Sequence, residues 1–298
     1  MLPVPRTTRE ASMRHVALYS CAFGAKARQA ALTVFALAAL SFASAVPALA
    51  TQCEPPGGFD IWLEAFKRDA AAAGISQKTL STAFVGVMQD QKVLGYDRNQ
   101  KHFQQTFEEF SGRMISANRL NKGGLMLKQH ASLLSRIESE FGVQGAVLVA
   151  IWGLETDYGA NIGNMSTIRS LATLAHDCRR TDLFQGELLN ALRIIDRGDL
   201  AAAEMKGAWA GELGQTQFLP TSYLKYAVDF DGNGKRDLLH SPADVLASTA
   251  NYLKGYGWKP GQGWGPDEPN FEALLGWNKS QLYTKTVAAF AKRLSDAQ

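Results

Sequence analysis

Apolar residues recur at helical spacing along most of the chain, and this pattern limits the fold class more than any other feature of the sequence. The clearest apolar stripes repeat at intervals of three or four residues, as one face of a helix requires. They comprise Trp62, Phe66 and Ala70, then Leu188, Leu192 and Ile195, and finally Val287, Phe290 and Leu294. Residues 59–298 carry no convincing run of the two-residue alternation that is typical of strands. The sequence therefore predicts a mainly α fold.

The sequence also marks where several helices begin and end. Ser76 precedes a periodic stretch, and residues 241–244 place a serine N-cap before a proline at the first helical position and an acid at the third. Glycine-containing breaks are expected to separate helices at residues 123–124, 159–164 and 255–270.

The break at residues 255–270 is too long to be a simple connection between helices. It contains five glycines, three prolines and two tryptophans in sixteen residues. Long ordered loops in compact domains are often functional, which is one interpretation of this segment. The alternative is that Trp258 and Trp264 anchor the loop on the core.

The first 50 residues have the composition of a secretory signal. They hold a surplus of four positive charges, so that the formal charge of +3 becomes −1 when they are removed. An apolar stretch begins at Ala30 and ends in Ala48-Leu49-Ala50, the small-x-small pattern of a signal peptidase site. We therefore expect a signal peptide at residues 1–50, starting at Met1 or Met13, and export of residues 51–298 to the periplasm.

The alternative for the leader is an uncleaved anchor, because residues 30–50 are about long enough to span a bilayer. No second uncharged apolar segment of comparable length follows, which excludes a protein with several membrane spans. The exported chain is near neutral and has no basic stripe, so nucleic acid is not an expected partner.

Cleavage of the leader removes Cys21 and leaves Cys53 and Cys178. In an oxidising compartment, two remaining cysteines are a candidate disulfide. The alternative is two unpaired buried thiols. Two cysteines in this spacing suit no metal cluster.

Glu155 directly follows an apolar helix at residues 143–154, which we expect to be buried on all sides. Ile151 and Trp152 lie one turn earlier on the face that carries Glu155. Such surroundings raise the pKa of a carboxyl group and suit it to general acid catalysis. Alternatively, Glu155 caps the helix or forms a salt bridge. Asp157 points elsewhere around the helix, so no paired carboxylate is visible in the local sequence.

Two motifs carry a resemblance to a known family. The sequences GLETDYG at residues 153–159 and AGELGQTQFLP at residues 210–220 resemble the lytic murein transglycosylase B family. The resemblance extends from about Phe59 to the last predicted helix. It implies a lysozyme-like α domain over residues 51–298, with an additional helical subdomain and an EF-hand-like loop.

The resemblance also implies an activity. We expect cleavage, without water, of the β-1,4 bond between N-acetylmuramic acid and N-acetylglucosamine in peptidoglycan. Glu155 would act as the acid and then as the base toward the muramoyl C6 hydroxyl, giving a 1,6-anhydro end. The expected partner is the glycan strand, the protein is expected to be a monomer, and no organic cofactor is implied. The alternatives are a hydrolytic muramidase and a non-catalytic, calcium-dependent peptidoglycan-binding protein.

The same match implies a set of substrate-binding residues. They are Arg179, Arg180, Gln217, Tyr252, Trp277, Asn278 and Tyr283. Flat rings stack on sugar faces, and arginine suits carboxylates of the glycan or its peptide stem.

Each of these assignments has a structural alternative. Gln217 can tie a loop together, the arginine pair can be a solvated helix start, and both tyrosines can belong to the core. Two residues depart from the family pattern, because Trp277 replaces a common tyrosine and Ala208 replaces a common serine.

Residues 229–240 resemble a calcium-binding loop of the EF-hand type. The candidate ligands are Asp229, Asp231, Asn233, the Lys235 carbonyl and Asp237, with Gly234 at the turn. The twelfth position is His240, a poor ligand for a hard cation. The resemblance implies a lengthened loop closed by Asp244, and a structural Ca²⁺. The alternative is that Asp244 only completes the capping box of the next helix.

Overall fold

Capped α-helices account for most of the described chain, as the apolar periodicity predicts. The computed structural model describes residues 51–99 and 105–297. The predicted signal peptide at residues 1–50, its cleavage site at Ala50 and Cys21 lie outside the described residues. The described residues belong to one compact unit.

The helices are α1 (Gly58–Ala72), α2 (Gln77–Ala83), α3 (Gln91–Arg98), α4 (Phe107–Met114), α5 (Ala117–Gln129), α6 (Ala131–Phe141), α7 (Gly145–Thr156), α8 (Thr167–His176), α9 (Thr181–Asp196), α10 (Pro220–Tyr226), α11 (Pro242–Gly255), α12 (Phe271–Trp277) and α13 (Gln281–Asp296). Two strands, β1 (Met165–Ser166) and β2 (Lys206–Gly207), form an antiparallel pair. Strands of two residues are too short to produce a periodic signal in the sequence.

The predicted helix starts are confirmed. The Ser76 side chain accepts a hydrogen bond from the Thr79 N–H at 3.1 Å. The Ser241 hydroxyl likewise accepts from the Asp244 N–H at 3.3 Å, with Pro242 at the first helical position. Each cap satisfies a backbone donor that has no partner within its own helix.

The predicted break at Gly123 and Gly124 is wrong, because α5 runs through both residues. A Cβ atom on Gly123 would lie 2.6 Å from the Tyr158 hydroxyl and 2.8 Å from a methyl of Leu294. Gly123 therefore permits close packing between helices rather than ending one. The two other predicted breaks do separate helices.

Helix α7 is the central helix of this unit. It packs against α5, α6, α11 and α13. Ten of its twelve residues are buried, including Leu148 and Ile151, which are fully inaccessible. This burial agrees with a segment that is apolar on every face.

Helices α1–α3 form the additional helical layer. They pack against α8 and α9, which themselves form an extensive contact. The α1 stripe predicted from the sequence is buried there, with Trp62 and Phe66 stacked at 5.4 Å between ring centroids.

The loop between α11 and α12 is anchored by its side chains. Trp258 is buried and its indole N–H donates to the Gly142 carbonyl at 2.9 Å. The fully buried Asn270 bonds to both the N–H and the carbonyl of Lys259. The Trp264 indole N–H donates to the Ala288 carbonyl at 3.3 Å. These contacts support the interpretation of the loop as a segment that is fastened to the core.

Within the described residues, no single helix combines the length and the apolar composition needed to cross a membrane. Helices α6 and α7 reach this length and composition only when they are taken together, and the chain bends by 110° between them.

A disulfide joins Cys53 to Cys178 across a sequence separation of 125 residues. It holds the segment before α1 against the end of α8, where the Glu54 N–H also donates to the His176 carbonyl at 3.2 Å. Closing so long a loop lowers the entropy of the unfolded chain.

Replacing both cysteines with serine is expected to lower the free energy of unfolding by about 4 kcal/mol, because the closed loop is long. Urea unfolding of the parent and the double variant, each with and without dithiothreitol, measures the difference. Reductant should destabilise the parent and leave the variant unchanged. Equal stability of the four samples would contradict this prediction.

Candidate active site

Glu155 lies in the last turn of α7, at the floor of an open groove. Its Oε1 accepts a hydrogen bond from the Tyr283 hydroxyl at 2.5 Å and another from the Trp277 indole N–H at 3.1 Å. Trp277 ends α12 and Tyr283 lies in the first turn of α13. Three helices therefore fix the position of this carboxyl group.

The surroundings raise the pKa of Glu155 above its ordinary value. Burial is the largest cause, because it disfavours the charged form. The hydrogen bonds from Tyr283 and Trp277 oppose the change, and the nearby carboxylate of Glu212 adds to it. The apolar helix end and the second acid together favour a protonated Glu155.

The groove above Glu155 has a volume of about 720 Å³. Its lining comes from α7, the start of α9, the loop at residues 208–219, α10, α11 and the end of α12 with the residues that follow it. The lining residues are Glu155, Arg180, Ala208, Glu212, Gln217, Phe218, Leu219, Ser222, Tyr252, Trp277, Asn278 and Lys279.

The second sequence motif is attached to α7 through Gln215. The Trp152 indole N–H donates to the Gln215 side-chain oxygen at 2.8 Å, and the Thr156 hydroxyl donates to the Gln215 carbonyl at 2.5 Å. A Cβ atom on Gly159 would lie 2.3 Å from that side-chain oxygen, so only glycine fits there. Gln215 is a positioning residue that reasoning from the sequence did not identify.

Gln217 lines the groove and also ties its loop together. Its side-chain N–H₂ donates to the carbonyls of Gly214 at 2.7 Å and Ile162 at 3.2 Å. Its φ of 55° is in the left-handed region, within a tight turn closed by the Leu213–Phe218 bridge. The predicted position in the groove and the alternative role of tying a loop together therefore each describe part of the environment of Gln217.

Tyr252 and Trp277 form an aromatic wall of the groove, with ring centroids 4.8 Å apart. Phe218 packs edge-on against both rings, at 5.6 Å and 5.5 Å. Tyr252 is largely buried, so it contributes to the core and to the groove together. Asn278 follows Trp277 and also lines the groove. Tyr283 reaches the site through its bond to Glu155.

The arginine pair lies at the start of α9, where Arg179 is exposed and Arg180 is partly exposed, and both guanidinium groups bond to the buried carboxylate of Asp97 on α3. Arg180 still lines the groove that contains Glu155. Arg179 instead lines an adjoining cavity beside the Cys53–Cys178 disulfide. The structure therefore brings one arginine of the pair, and not the other, to Glu155.

Glu212 is a second acid in the groove that the sequence-based analysis did not identify. Burial is the largest cause that raises the pKa of Glu212, while backbone N–H donors and the positive charge of Arg180 oppose it. Glu212 lies inside the AGELGQTQFLP motif, and this position could have identified it as a candidate site residue. A separation of 57 residues from Glu155 gave no indication that the two acids meet.

The predicted calcium loop brings three of its acids together. One carboxylate oxygen each from Asp229, Asp231 and Asp244 lies within 4.8 Å of the others. Asp244 is fully buried and accepts backbone N–H bonds from Phe230 at 2.8 Å and Asp237 at 2.8 Å. Its carboxylate thus faces the loop, and capping of α11 is left to Ser241.

The other candidate ligands are directed differently. The Asp237 carboxylate accepts from the N–H groups of Leu239 and His240, and one of its oxygens lies 3.0 Å from the His240 imidazole. The Asn233 side-chain oxygen accepts from the Lys235 N–H at 2.9 Å. Three carboxylate oxygens in one cluster fit a hard cation such as Ca²⁺ by donor type.

The helical fold and the buried acid beneath an open groove define a protein of the lysozyme-like class. A family model described as "Transglycosylase SLT domain" matches residues 58–268. The chain belongs to this family.

Known relatives agree with this assignment. Membrane-bound lytic murein transglycosylase B of Escherichia coli K12 is 35% identical over 150 residues, which are 50% of this chain and 41% of that protein. The chain therefore spans about two fifths of the length of this curated relative. SltB3 of Pseudomonas aeruginosa, solved in complex with NAG-NAM-pentapeptide, superimposes with a TM-score of 0.77 and 36% identity over 80% of this chain and 79% of its own.

A third relative shows the fold alone. The E. coli lytic transglycosylase Slt35, solved in complex with calcium, has a TM-score of 0.70 and 24% identity, covering 79% of this chain and 93% of its own.

Replacing Glu155 with glutamine is expected to stabilise the folded chain near neutral pH. Folding raises the pKa of Glu155, so stability is lost as the pH rises from the ordinary pKa of a glutamate through the raised one. Glutamine avoids that loss and keeps an oxygen for the bonds from Tyr283 and Trp277. Each pKa unit between the folded and unfolded states corresponds to about 1.4 kcal/mol.

Thermal unfolding of both proteins near pH 8 and near pH 4 measures this effect, since glutamate is largely protonated in both states at the lower pH. The two melting temperatures should differ at the higher pH and converge at the lower one. A variant that is less stable at both pH values would contradict the prediction.

Proposed function

We propose that this protein is a lytic transglycosylase that cleaves the β-1,4 bond between N-acetylmuramic acid and N-acetylglucosamine in peptidoglycan. The observation that supports it most directly is the carboxyl group of Glu155, which Tyr283 and Trp277 hold at the floor of a groove and whose pKa is raised by burial. Family membership supports the reaction class. SltB3 was also solved with NAG-anhNAM-pentapeptide, a ligand with an anhydro sugar.

Glu155 acts first as a general acid. Both hydrogen bonds that it accepts from the described residues end on Oε1. Oε2 is therefore the oxygen that carries the proton. Donation of that proton to the leaving glycosidic oxygen lets the bond break, and a raised pKa makes the donor available near neutral pH.

Glu155 then acts as a general base. The muramoyl C6 hydroxyl attacks the anomeric carbon of the same sugar, and the carboxylate takes its proton. The Tyr283 hydroxyl and the Trp277 N–H stabilise the carboxylate that exists between the two steps. The product is a 1,6-anhydro end, and no water is consumed.

The walls of the groove suit a glycan strand. Tyr252 and Trp277 offer aromatic surface on which sugar rings stack. Asn278 and Gln217 offer amide groups for hydroxyls and acetamido groups. Arg180 at the rim, and Arg179 in the adjoining cavity, supply guanidinium groups for the carboxylates of a peptide stem.

Export through the signal peptide at residues 1–50 would place the enzyme in the periplasm, where its substrate lies. The Cys53–Cys178 disulfide is consistent with such an oxidising compartment. We propose that the enzyme acts as a monomer and requires no organic cofactor.

We also propose that Asp229, Asp231 and Asp244 hold a structural Ca²⁺. Ser241, the N-cap of α11, donates to the Asp231 carboxylate at 2.8 Å, so the cluster joins the loop to that helix. The bound cation would offset repulsion among three acids and stabilise the loop that follows α10. That loop bonds in turn to the second motif, because the Gln215 N–H donates to the Leu238 carbonyl at 2.8 Å.

Replacing Glu155 with glutamine is expected to reduce the release of anhydro-muramoyl fragments by at least about 1,000-fold, because both proton transfers are lost. Purified sacculi are incubated with each protein and the soluble products are weighed by mass spectrometry. Activity of the parent should fall as the pH rises through the raised pKa of Glu155, since the acid must be protonated.

Glu138→Gln is the matched control, because this exposed glutamate of α6 undergoes the same chemical change away from the groove. It should retain parental activity. Full activity of the Glu155 variant would remove the catalytic assignment. Reducing ends in the parent's products would indicate a hydrolytic muramidase, and no products from folded protein with Ca²⁺ would indicate a binding protein.

Calcium at 100 times its dissociation constant is expected to raise the free energy of unfolding by about 2.7 kcal/mol. Asp229→Asn should weaken this response strongly, and Asp267→Asn, an exposed change in the loop before α12, should leave it intact. Thermal unfolding with Ca²⁺, Mg²⁺ or a chelator measures the response. Equal melting temperatures of the parent in all three would contradict the proposed site.

A further inference from the structure

Glu212 shares the groove with Glu155 but comes from a different part of the chain. Its side chain is half-buried, and its Oε2 accepts a hydrogen bond from the Ala210 N–H at 3.1 Å. Its backbone is closely confined, because a Cβ atom on Gly207 would lie only 1.7 Å from the Glu212 carbonyl oxygen. The next residue, Leu213, pairs with Phe218 to close the turn. This carboxyl group is therefore held in place.

The two acids of the groove have different surroundings. Both are desolvated, but Glu212 has a backbone N–H donor and the positive charge of Arg180 nearby, and these favour its charged form. At Glu155 the hydrogen bonds from Tyr283 and Trp277 also favour the charged form, but the neighbouring charge is the negative one of Glu212, which opposes it. When two acids share a site, such a difference separates their roles. Burial raises the pKa of both acids, but at Glu212 the nearby cation favours the charged form.

Ala208 leaves the surface near Glu212 without a hydroxyl group. Both residues line the groove, and the Ala208 side chain is only a methyl group. Of the groove lining named above, Glu155 and Glu212 are the two carboxylic acids. Gln217 and Asn278 offer neutral amide oxygens to a ligand, whereas Glu212 offers an acidic acceptor with a cation nearby.

We propose that Glu212 is a second catalytic residue, which accepts a hydrogen bond from the 2-acetamido N–H of the muramoyl sugar at the cleaved bond. This inference rests on the proposed function and assigns the group that assists it. Glycosidases that lack a carboxylate nucleophile use the acetamido group of the substrate in its place. That group becomes cationic when it attacks, and a carboxylate beside its N–H stabilises the charge.

The acetamido carbonyl oxygen forms a bond to the anomeric carbon while the glycosidic bond breaks, and the bonding electrons leave on the glycosidic oxygen with the proton of Glu155. The resulting oxazolinium ion carries one positive charge, which the Glu212 carboxylate faces. The C6 hydroxyl then attacks the anomeric carbon, its proton returns to Glu155, and the acetamido group is restored.

The test compares two synthetic muramoyl oligosaccharides that differ only in the N-acetyl group of the muramoyl sugar at the cleaved bond. The parent is expected to lose at least about 100-fold in kcat on the substrate without the acetyl group. Glu212→Gln should lose a similar factor on the acetylated substrate, with KM changed by less than about threefold. On the substrate without the acetyl group, the variant and the parent should have equal rates.

Glu212→Asp keeps the charge at a shorter reach and should recover part of the rate, and Glu138→Gln serves as the control for loss of an acid. Thermal unfolding of each protein verifies that it is folded. A variant that slows both substrates by the same factor, or that keeps the full rate on the acetylated one, would overturn the role of Glu212. Equal rates of the parent on the two substrates would do so as well.

A binding measurement separates this proposal from the proposed function. A muramoyl thiazoline, in which sulfur replaces the acetamido oxygen, mimics the cyclic ion and needs no turnover. By calorimetry, Glu212→Gln should bind it at least about tenfold more weakly than the parent. Unchanged affinity would overturn the contact even in an active enzyme. Weaker binding by the variant, with no cleavage by the parent, would support the contact and refute the proposed reaction.

Discussion

The structure depends on one physical constraint, which is that an acidic side chain must be placed at the end of a helix with no polar face. Helix α7 can be apolar on all sides because α5, α6, α11 and α13 cover it. Its last turn then places Glu155 where that apolar environment borders the groove. Desolvation at this point raises the pKa of the acid, and the same packing supplies the aromatic donors that orient it. The packing that buries α7 therefore also sets the chemistry of Glu155.

The second motif supports this arrangement from the opposite side of the groove. Gln215 bonds to Trp152 and Thr156 of α7, so the turn at residues 210–218 is held against the helix that carries Glu155. The same turn places Glu212 in the groove. Two acids in one cavity with different neighbours can differ in pKa and therefore in role.

Much of the fold could be predicted, because it follows from local chemistry. Helical periodicity, the serine caps at 76 and 241, and the raised pKa expected for Glu155 depend on residues within a few turns of one another. The break expected at Gly123 was wrong, because that glycine serves contacts with Tyr158 and Leu294 far along the chain. The sequence alone does not distinguish a glycine that permits close packing from one that ends a helix.

Local sequence is enough to predict the helical class and the apolar helix that ends in an acid, and it contains the two motifs that identify the family. Which side chains contact that acid depends on how the helices pack. Tyr283 and Trp277 reach Glu155 from more than a hundred residues away, and Glu212 reaches the groove from another turn. Backbone propensity and hydrophobic spacing act over neighbouring residues, whereas desolvation, charge coupling and hydrogen bonding act through space, and helix packing sets those distances.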